Sequence, residues 1–410
     1  MALNYIWMAF FLLAFVLAFI KWAFLGDAEI FKLLIDGIFK SANDGFDISL
    51  KLVGIMSLFL GFMKIGEKAG AINFLSRLVA PFFSRLFPEV PKNHPATGHM
   101  MMNFSANLLN LDNAATPFGL KAMESLQELN PNKAVASNAQ IMFLALHASG
   151  LTLIPVTIIA WRSGLGAQNA TDIFIPCMIA TFVATMAAMF LVSFKQKKNL
   201  VQPVILTWVG GLSLLIGLLV IYVHQLHSSE AQRFSSILSN GIILFIFVAI
   251  VIGGVYKKID VFDSFAEGAK GGFETAIKII PYIVGMLVAI SMLRTSGVFD
   301  VVINGMKSLF AAMGTDTRFI DGLPTALIKP MSGSGARGMM IDTMKTFGAD
   351  SFAGRLACIL QGSSDTTFYV IAVYFGSVAI KNTRYAVTAM LLADLAGIIA
   401  SILLCHLFFG

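Results

Sequence analysis

P-T-A-L-I-K-P-M-S-G-S-G-A-R-G-M-M-I-D, residues 324–342, decides how the rest of the chain is read. An apolar run enters it, Pro330 interrupts the run, and Ser332 to Gly335 supply small residues whose backbone can bend sharply and approach a ligand closely. A second short helix is expected to start at Gly335. Two half-helices joined by such a tip form a re-entrant hairpin, tolerated at membrane depth only where its unpaired backbone groups face protein or a water-filled cavity. A second, Asn-rich stretch, N-F-S-A-N-L-L-N-L-D-N-A-A-T-P-F-G at 103–119, invites the same reading.

The remainder of the chain supplies the membrane setting. Of 410 residues 57% are hydrophobic and 13% charged, with a mean hydropathy of +0.80, which selects an all-α polytopic membrane protein over two or three soluble domains. The net charge of +6 is small for a nucleic-acid binder, and the basic residues gather at the ends of apolar runs, where membrane topology places them. Cys177, Cys358 and Cys405 each stand alone in apolar surroundings, without the paired spacing of a zinc or redox site. His94 and His99 flank Pro95 with no cysteine or carboxylate at zinc spacing, so no metal site is expected. The first apolar run, Tyr5 to Phe24, lacks a basic leader and is long enough to span, which favours a retained helix over a cleaved signal.

Apolar runs of spanning length fall near 3–25, 46–63, 136–161, 172–194, 203–224, 236–256, 273–293, 353–380 and 384–409. Residues 26–45 and 258–272 are apolar on one helical face and charged on the other, which suits helices lying in the membrane interface. These two stretches open a repeat. Asp36, Gly45, Phe46 and Lys51 align without a gap onto Asp263, Gly272, Phe273 and Lys278, 227 positions on, and Gly70 and Phe83 continue onto Gly297 and Phe310. Two copies are expected, 1–195 and 231–410, joined by a linker and one span over 196–230. That joining span makes the copies run in opposite directions through the membrane. With the N-terminus inside, Lys64, Lys68, Arg77, Arg85, Lys92, Lys195, Lys197, Lys198, Lys257, Lys258, Lys381 and Arg384 share the cytoplasmic side. Two inverted repeats carrying re-entrant hairpins, broken spans and interfacial amphipathic helices point to a transporter with its site near the bilayer midplane.

The polar residues inside these apolar segments are the candidate site. Asn103, Ser105, Asn107, Asn113 and Thr116 sit in the first hairpin, where they either satisfy the bend or line the cavity; Asp112 or Asn113 can cap a helix beginning around Ala114 to Pro117. In the second hairpin Lys329 and Arg337 flank Ser332 and Ser334, and two roles stand open: holding an anionic group at a helix N-terminus, or pairing with Asp342 or Asp365. The spans after the hairpins are themselves interrupted. His147, Ser149 and Gly150 mark the first break, and Gln361 with Ser363, Ser364, Asp365 and Thr366 marks the second. Gln361 joins the solute-binding candidates, while His147, Ser149, Ser363, Ser364, Asp365 and Thr366 are candidates for coupling Na+ or H+. Asp365 is the foremost of them, because an ionisable residue inside a span is functional by default.

Three stretches carry a resemblance. N-F-S-A-N-L-L-N-L-D-N-A-A-T-P-F-G-L-K-A-M at 103–123 resembles the signature of spore maturation protein A; K-P-M-S-G-S-G-A-R-G-M-M-I-D-T-M-K at 329–345 and Q-G-S-S-D-T-T-F-Y-V-I-A-V-Y-F-G-S at 361–377 resemble spore maturation protein B. The chain is thus similar to a fusion of the two families over nearly all its length, apart from the joining span near 203–224. The resemblance implies membership of the nucleoside-recognition, or Gate, group of membrane domains, which are similar to regions of concentrative nucleoside transporters and of the ferrous-iron transporter's membrane part.

Two functions are compatible with these residues. One is a secondary transporter of a small polar or anionic solute, nucleoside-like among the options, working by alternating access with ion coupling. The other is a non-transporting envelope or spore-maturation factor that uses the same fold as a scaffold. An enzyme is not expected, since M-S-G-S-G-A lacks the G-x-S-x-G pattern, and no P-loop appears. No cofactor is expected beyond the coupling ion. The expected partners are the lipid bilayer, the solute and further copies of the chain, with no nucleic acid. The expected location is the bacterial cytoplasmic membrane, crossed many times, with a cytoplasmic N-terminus.

Overall fold

A helix rises about 1.5 Å per residue, so about 20 apolar residues cross a hydrocarbon layer of roughly 30 Å. In the computed structural model the chain obeys that measure: eight helical segments among the described residues are long and apolar enough to span. The structure describes every residue except Met1, Lys92 and Leu111, and the backbone alone at Ala2, Leu3, Asp112, Asn113, Ala114 and Ser228. No strand forms among them beyond one isolated bridge, Val135 to Asn382.

The helices come in one order, used twice. First come α1 (Ala2–Leu25), α2 (Ile30–Ala69), α3 (Ala71–Leu86), the hairpin α4 (Pro95–Leu108) and α5 (Asp112–Leu129), then α6 (Asn138–Ala148), α7 (Val156–Gly164) and α8 (Phe174–Gln196). A joining helix, α9 (Pro203–His224), follows. The order then recurs in α10 (Ser228–Tyr256), α11 (Val261–Ser296), α12 (Val298–Ala312), the hairpin α13 (Leu323–Ile328) and α14 (Gly333–Phe347), α15 (Phe352–Gly362), α16 (Thr367–Val370) with a π-helical turn at Ile371–Phe375, and α17 (Ala386–Phe409).

On α9 the large side chains Leu206, Leu212, Leu214, Leu215, Leu218 and Ile221 are all exposed. A helix with so many large apolar side chains left uncovered has lipid as the solvent for them, so with eight such segments the chain is a multi-pass membrane protein. The expected span at 136–161 is not among the eight, because it is cut into α6 and α7. The amphipathic stretches expected at 26–45 and 258–272 are not separate helices either. They are the first turns of α2, 40 residues long, and of α11, 36 residues long. At that length each helix exceeds the hydrocarbon thickness, which leaves its charged turns outside it. The free-standing amphipathic helices are α3 and α12. Each starts after a left-handed glycine, Gly70 with φ 88° and Gly297 with φ 86°, at equivalent positions of the repeat.

The duplication leaves a physical trace where α2 meets α11. Gly45 lies so close to α11 that a Cβ there would sit 3.1 Å from the Cα of Val284, and Gly272 lies against the backbone of Ser57. Shifting Gly45 and Ser57 by 227 positions gives Gly272 and Val284, so each contact is the image of the other. Residues advance along α2 as they retreat along α11, with Ser57 Oγ bonded to the carbonyl of Ala269 at 2.9 Å. An antiparallel, self-complementary contact between equivalent helices is what two inverted copies produce.

By internal contacts the chain divides into two compact units, neither a contiguous stretch. One contains residues 1–58, 157–170 and 269–361; the other contains 59–156, 171–268 and 362–410. The first unit packs Met286, Ile290, Ile328, Ala336 and Met339 around Phe10 and Phe299. It also holds Arg162, fully buried, whose guanidinium donates to the carbonyls of Asn169 and Ala349 and to Asp350 Oδ1 at 2.9 Å. The second unit has the larger core, with Phe83, Phe143, Met189, Phe375 and Met390 among its buried residues.

Candidate functional site

A helix stopped inside a membrane leaves carbonyl and N–H groups that need partners, and the partners show where such ends meet. In the second unit three ends meet. The first is the hairpin α4–α5, whose turn passes through Asn110 at φ 55°, a left-handed conformation that asparagine tolerates. The second is the break between α6 and α7, opened by Gly150 at φ 62°. The third is the break between α15 and α16. The N–H of Leu153 donates to the carbonyl of Leu108 at 2.9 Å, joining the first break to the hairpin, and the N–H of Asp365 donates to the carbonyl of Ala148 at 2.7 Å, joining one break to the other. Gly150 is small for a reason beyond its φ: a Cβ there would lie 3.4 Å from the backbone nitrogen of Asp365.

Around this junction the first hairpin places amides against an imidazole. Asn103, 1% exposed, donates from Nδ2 to the carbonyl of Ala115 at 2.7 Å, fastening α4 to α5. Its Oδ1 stands 3.1 Å from His147 Nδ1, and Nδ2 of Asn107 stands 2.9 Å from the same nitrogen. The imidazole meets Tyr374 edge-on, ring centroids 4.6 Å apart. Gly119 makes room for Tyr374, since a Cβ would sit 2.5 Å from its Cε1. The remaining expected residues of this unit have identifiable neighbours. Ser105 turns to α3, its Oγ 3.1 Å from Ser76 Oγ, and Ser149 bonds back to the carbonyl of Leu146. Asp365 is exposed; its Oδ1 accepts the N–H of Thr366 at 2.6 Å. Ser363 and Thr366 are buried, and Ser364 and Thr116 are half-buried. The side chains of Asp112 and Asn113 lie outside the described residues.

The second hairpin, in the first unit, carries charge instead of amides. Lys329, 5% exposed, donates from Nζ to the carbonyl of Leu360 at 3.2 Å and to that of Gln361, closing the C-terminal end of α15 where the helix dipole is negative. α14 begins at Gly333, not Gly335, and Ser332 is its N-cap, its Oγ accepting the Gly335 N–H at 3.0 Å, with Ser334 Oγ 3.3 Å away. Asp342 pairs with neither Lys329 nor Arg337 as sequence suggested; its partner is Arg294, Nε to Oδ2 at 2.7 Å, and the guanidinium also covers the Phe299 ring. Gln361 Oε1 and Thr325 Oγ1 are buried without a hydrogen-bond partner among the described residues. Such atoms call for a ligand or a water.

Several of the residues that matter were not singled out in the sequence. Asp394, 5% exposed on α17, accepts a hydrogen bond from Thr367 Oγ1 at 2.5 Å. An acid inside the apolar run A-M-L-L-A-D-L-A-G was the signal available. Tyr374 and Gly119 had none, because their roles arise only where a π-helical turn crosses a hairpin. No cluster of metal-ligating side chains occurs among the described residues.

Comparison with known proteins adds four findings. The family described as nucleoside recognition, Gate, matches residues 49–163 and 276–381. Spore maturation protein B of Bacillus subtilis (strain 168) is 47% identical over 173 residues, 42% of this chain and 96% of that protein. Spore maturation protein A of the same organism is 42% identical over 156 residues, 38% of this chain and 80% of that protein. Among solved structures, the YdaH transporter of Alcanivorax borkumensis aligns over 99% of this chain and 97% of its own, with a TM-score of 0.38 and 14% identity.

Proposed function

The chain belongs to the nucleoside-recognition Gate family and joins relatives of spore maturation proteins A and B in one polypeptide; from that premise we propose that it is a secondary transporter of a small polar or anionic solute, nucleoside-like in class. The carrying observation is the junction in the second unit, where the break after α6, the break after α15 and the turn of the first hairpin are tied backbone to backbone. Broken helices are costly in a membrane unless the freed groups line a site, and both copies contribute one to the same place. Asn103, Asn107 and His147 offer neutral hydrogen-bonding groups there, and Asp365 offers the exposed carboxylate for a coupling Na+ or H+. Within the first unit, Lys329, Ser332, Ser334, Arg337 and Gln361 are the candidates for solute contacts, and alternating access is the motion that goes with the reading. The location that goes with this reading is the bacterial cytoplasmic membrane, N-terminus inside.

The test is uptake into proteoliposomes, with thermal stabilisation as its equilibrium counterpart, since a ligand that binds the native state stabilises it. Nucleosides, carboxylates and phosphorylated metabolites are compared with and without sodium. Loss of the solute effect in Asp365→Ala with an unchanged melting temperature supports the reading. Unaltered uptake in Asp365→Ala and Asn103→Leu together removes these residues from the site. The names of the two relatives favour a second reading, a spore-maturation or envelope factor that does not transport. In that case substitutions at the junction leave function intact, while changes on the exposed faces of α3 and α12 abolish it.

A further inference from the structure

Three nitrogen and oxygen atoms at the junction are not free to choose their roles. The Asn103 amide is oriented by the carbonyl of Ala115, which can only accept; Nδ2 must face it at 2.7 Å, and Oδ1 is therefore the atom turned to His147. An oxygen 3.1 Å from Nδ1 is attractive if that nitrogen carries a proton and repulsive if it presents a lone pair. Asn107 stands with Nδ2 2.9 Å from the same nitrogen; no other side-chain hydrogen bond among the described residues fixes that amide, so with Nδ1 protonated it turns over and offers its oxygen instead. We infer that Asn103 locks His147 in the Nδ1–H tautomer, so that the imidazole presents its unprotonated Nε2 as a hydrogen-bond acceptor to the solute. Nε2 has no hydrogen-bond partner among the described residues.

This deepens the transporter reading and rests on it. A bare imidazole nitrogen recognises a donor, a hydroxyl or an N–H, and offers no hydrogen bond to a carboxylate or phosphate. At the junction, then, the solute presents a neutral, donor-bearing group, and an anionic group has no place. Asn103 acts through His147 and is a positioning residue.

Nitrogen-15 histidine labelling of the full chain in lipid nanodiscs tests the lock, with His147→Gln identifying one of the six imidazoles. The expected spectrum at neutral pH has a protonated Nδ1 and a bare Nε2, and Asn103→Leu moves the population toward the Nε2–H form. A protonated Nε2 in the wild-type protein overturns the inference. For the solute, melting is followed with uridine, neutral and rich in donors, and with uridine monophosphate, the same body carrying an anion. Uridine is expected to bind about tenfold tighter than the monophosphate, to shift the Nε2 resonance, and to lose that preference in His147→Leu but retain part of it in His147→Gln, which keeps an acceptor. Tighter binding of the monophosphate, or a resonance unmoved by uridine, overturns the donor assignment. If neither compound shifts melting of the wild type, the solute site and the transporter reading fall together, while the spectrum alone still decides the lock.

Discussion

The two hairpins share a plan and differ in what holds them. Around the first, buried and half-buried neutral groups bond one another: Asn103 to Ala115, Asn103 and Asn107 to His147. Around the second, charges sit on helix ends, Lys329 on the carbonyls closing α15 and Arg294 on Asp342 of α14. Duplication has kept the bends, which depend on glycine, proline and small residues, and has let the side chains specialise. The widest separation between the two is expected from Lys329→Met, which leaves two buried carbonyls without their charged donor and costs about 3 kcal/mol of stability. Thermal unfolding in detergent measures it. A variant that melts like the wild type but no longer responds to solute would make Lys329 a solute ligand and bring the hairpins closer in function.

Next in size is the ion pair of the second hairpin. Arg294→Leu strands Asp342, whose side chain is only 13% exposed, and is expected to cost about 2–3 kcal/mol. Adding Asp342→Leu should recover part of that loss, because removing both charges is less costly than orphaning one. A double mutant no better than Arg294→Leu would mean that the guanidinium acts through Phe299, 4.3 Å away, rather than through the carboxylate. The first hairpin should respond less. Asn103→Leu removes one bond to a backbone carbonyl and one to an imidazole, about 1–2 kcal/mol in all, and a larger loss would show that the amide network is as stiff as the charged one.

How much of this contrast the sequence announced depends on the kind of residue. The hairpins, the broken spans and the all-helical membrane fold were legible, because Pro330, Gly150 and the Ser332 to Gly335 tip break apolar runs in ways only a bent backbone explains. The repeat was legible in Gly45, Gly70, Gly272 and Gly297, which recur where two helices touch or a chain turns left-handed. Partnerships were not. Asp342 had Lys329 and Arg337 near it in sequence and Arg294 near it in space, and periodicity along one helix carries no information about which residue of another faces it. The extent of α2 was missed for a different reason: the charged residues of Ile30 to Asp47 suggested a surface helix, and nothing local marks a helix that runs on from there into the membrane.

The smallest effect probes whether the copies still pack alike. Overpacking a close helix contact costs about 1–3 kcal/mol, while replacing a mid-helix glycine by alanine returns about 1 kcal/mol of helix propensity. At Gly45 the new methyl would lie 3.1 Å from the Cα of Val284, a few tenths of an ångström too near, so Gly45→Ala is expected to leave stability almost unchanged. At Gly272 the neighbour is the backbone of Ser57, closer still, and neither helix can yield a side chain to make room. Gly272→Ala should therefore lower the melting temperature by an amount equivalent to about 1–2 kcal/mol, and Gly45→Ala by much less. Equal losses would show a contact that has stayed symmetric since the duplication. Unequal losses in the expected order would place the divergence seen in the hairpins also in the helix pair that joins the copies.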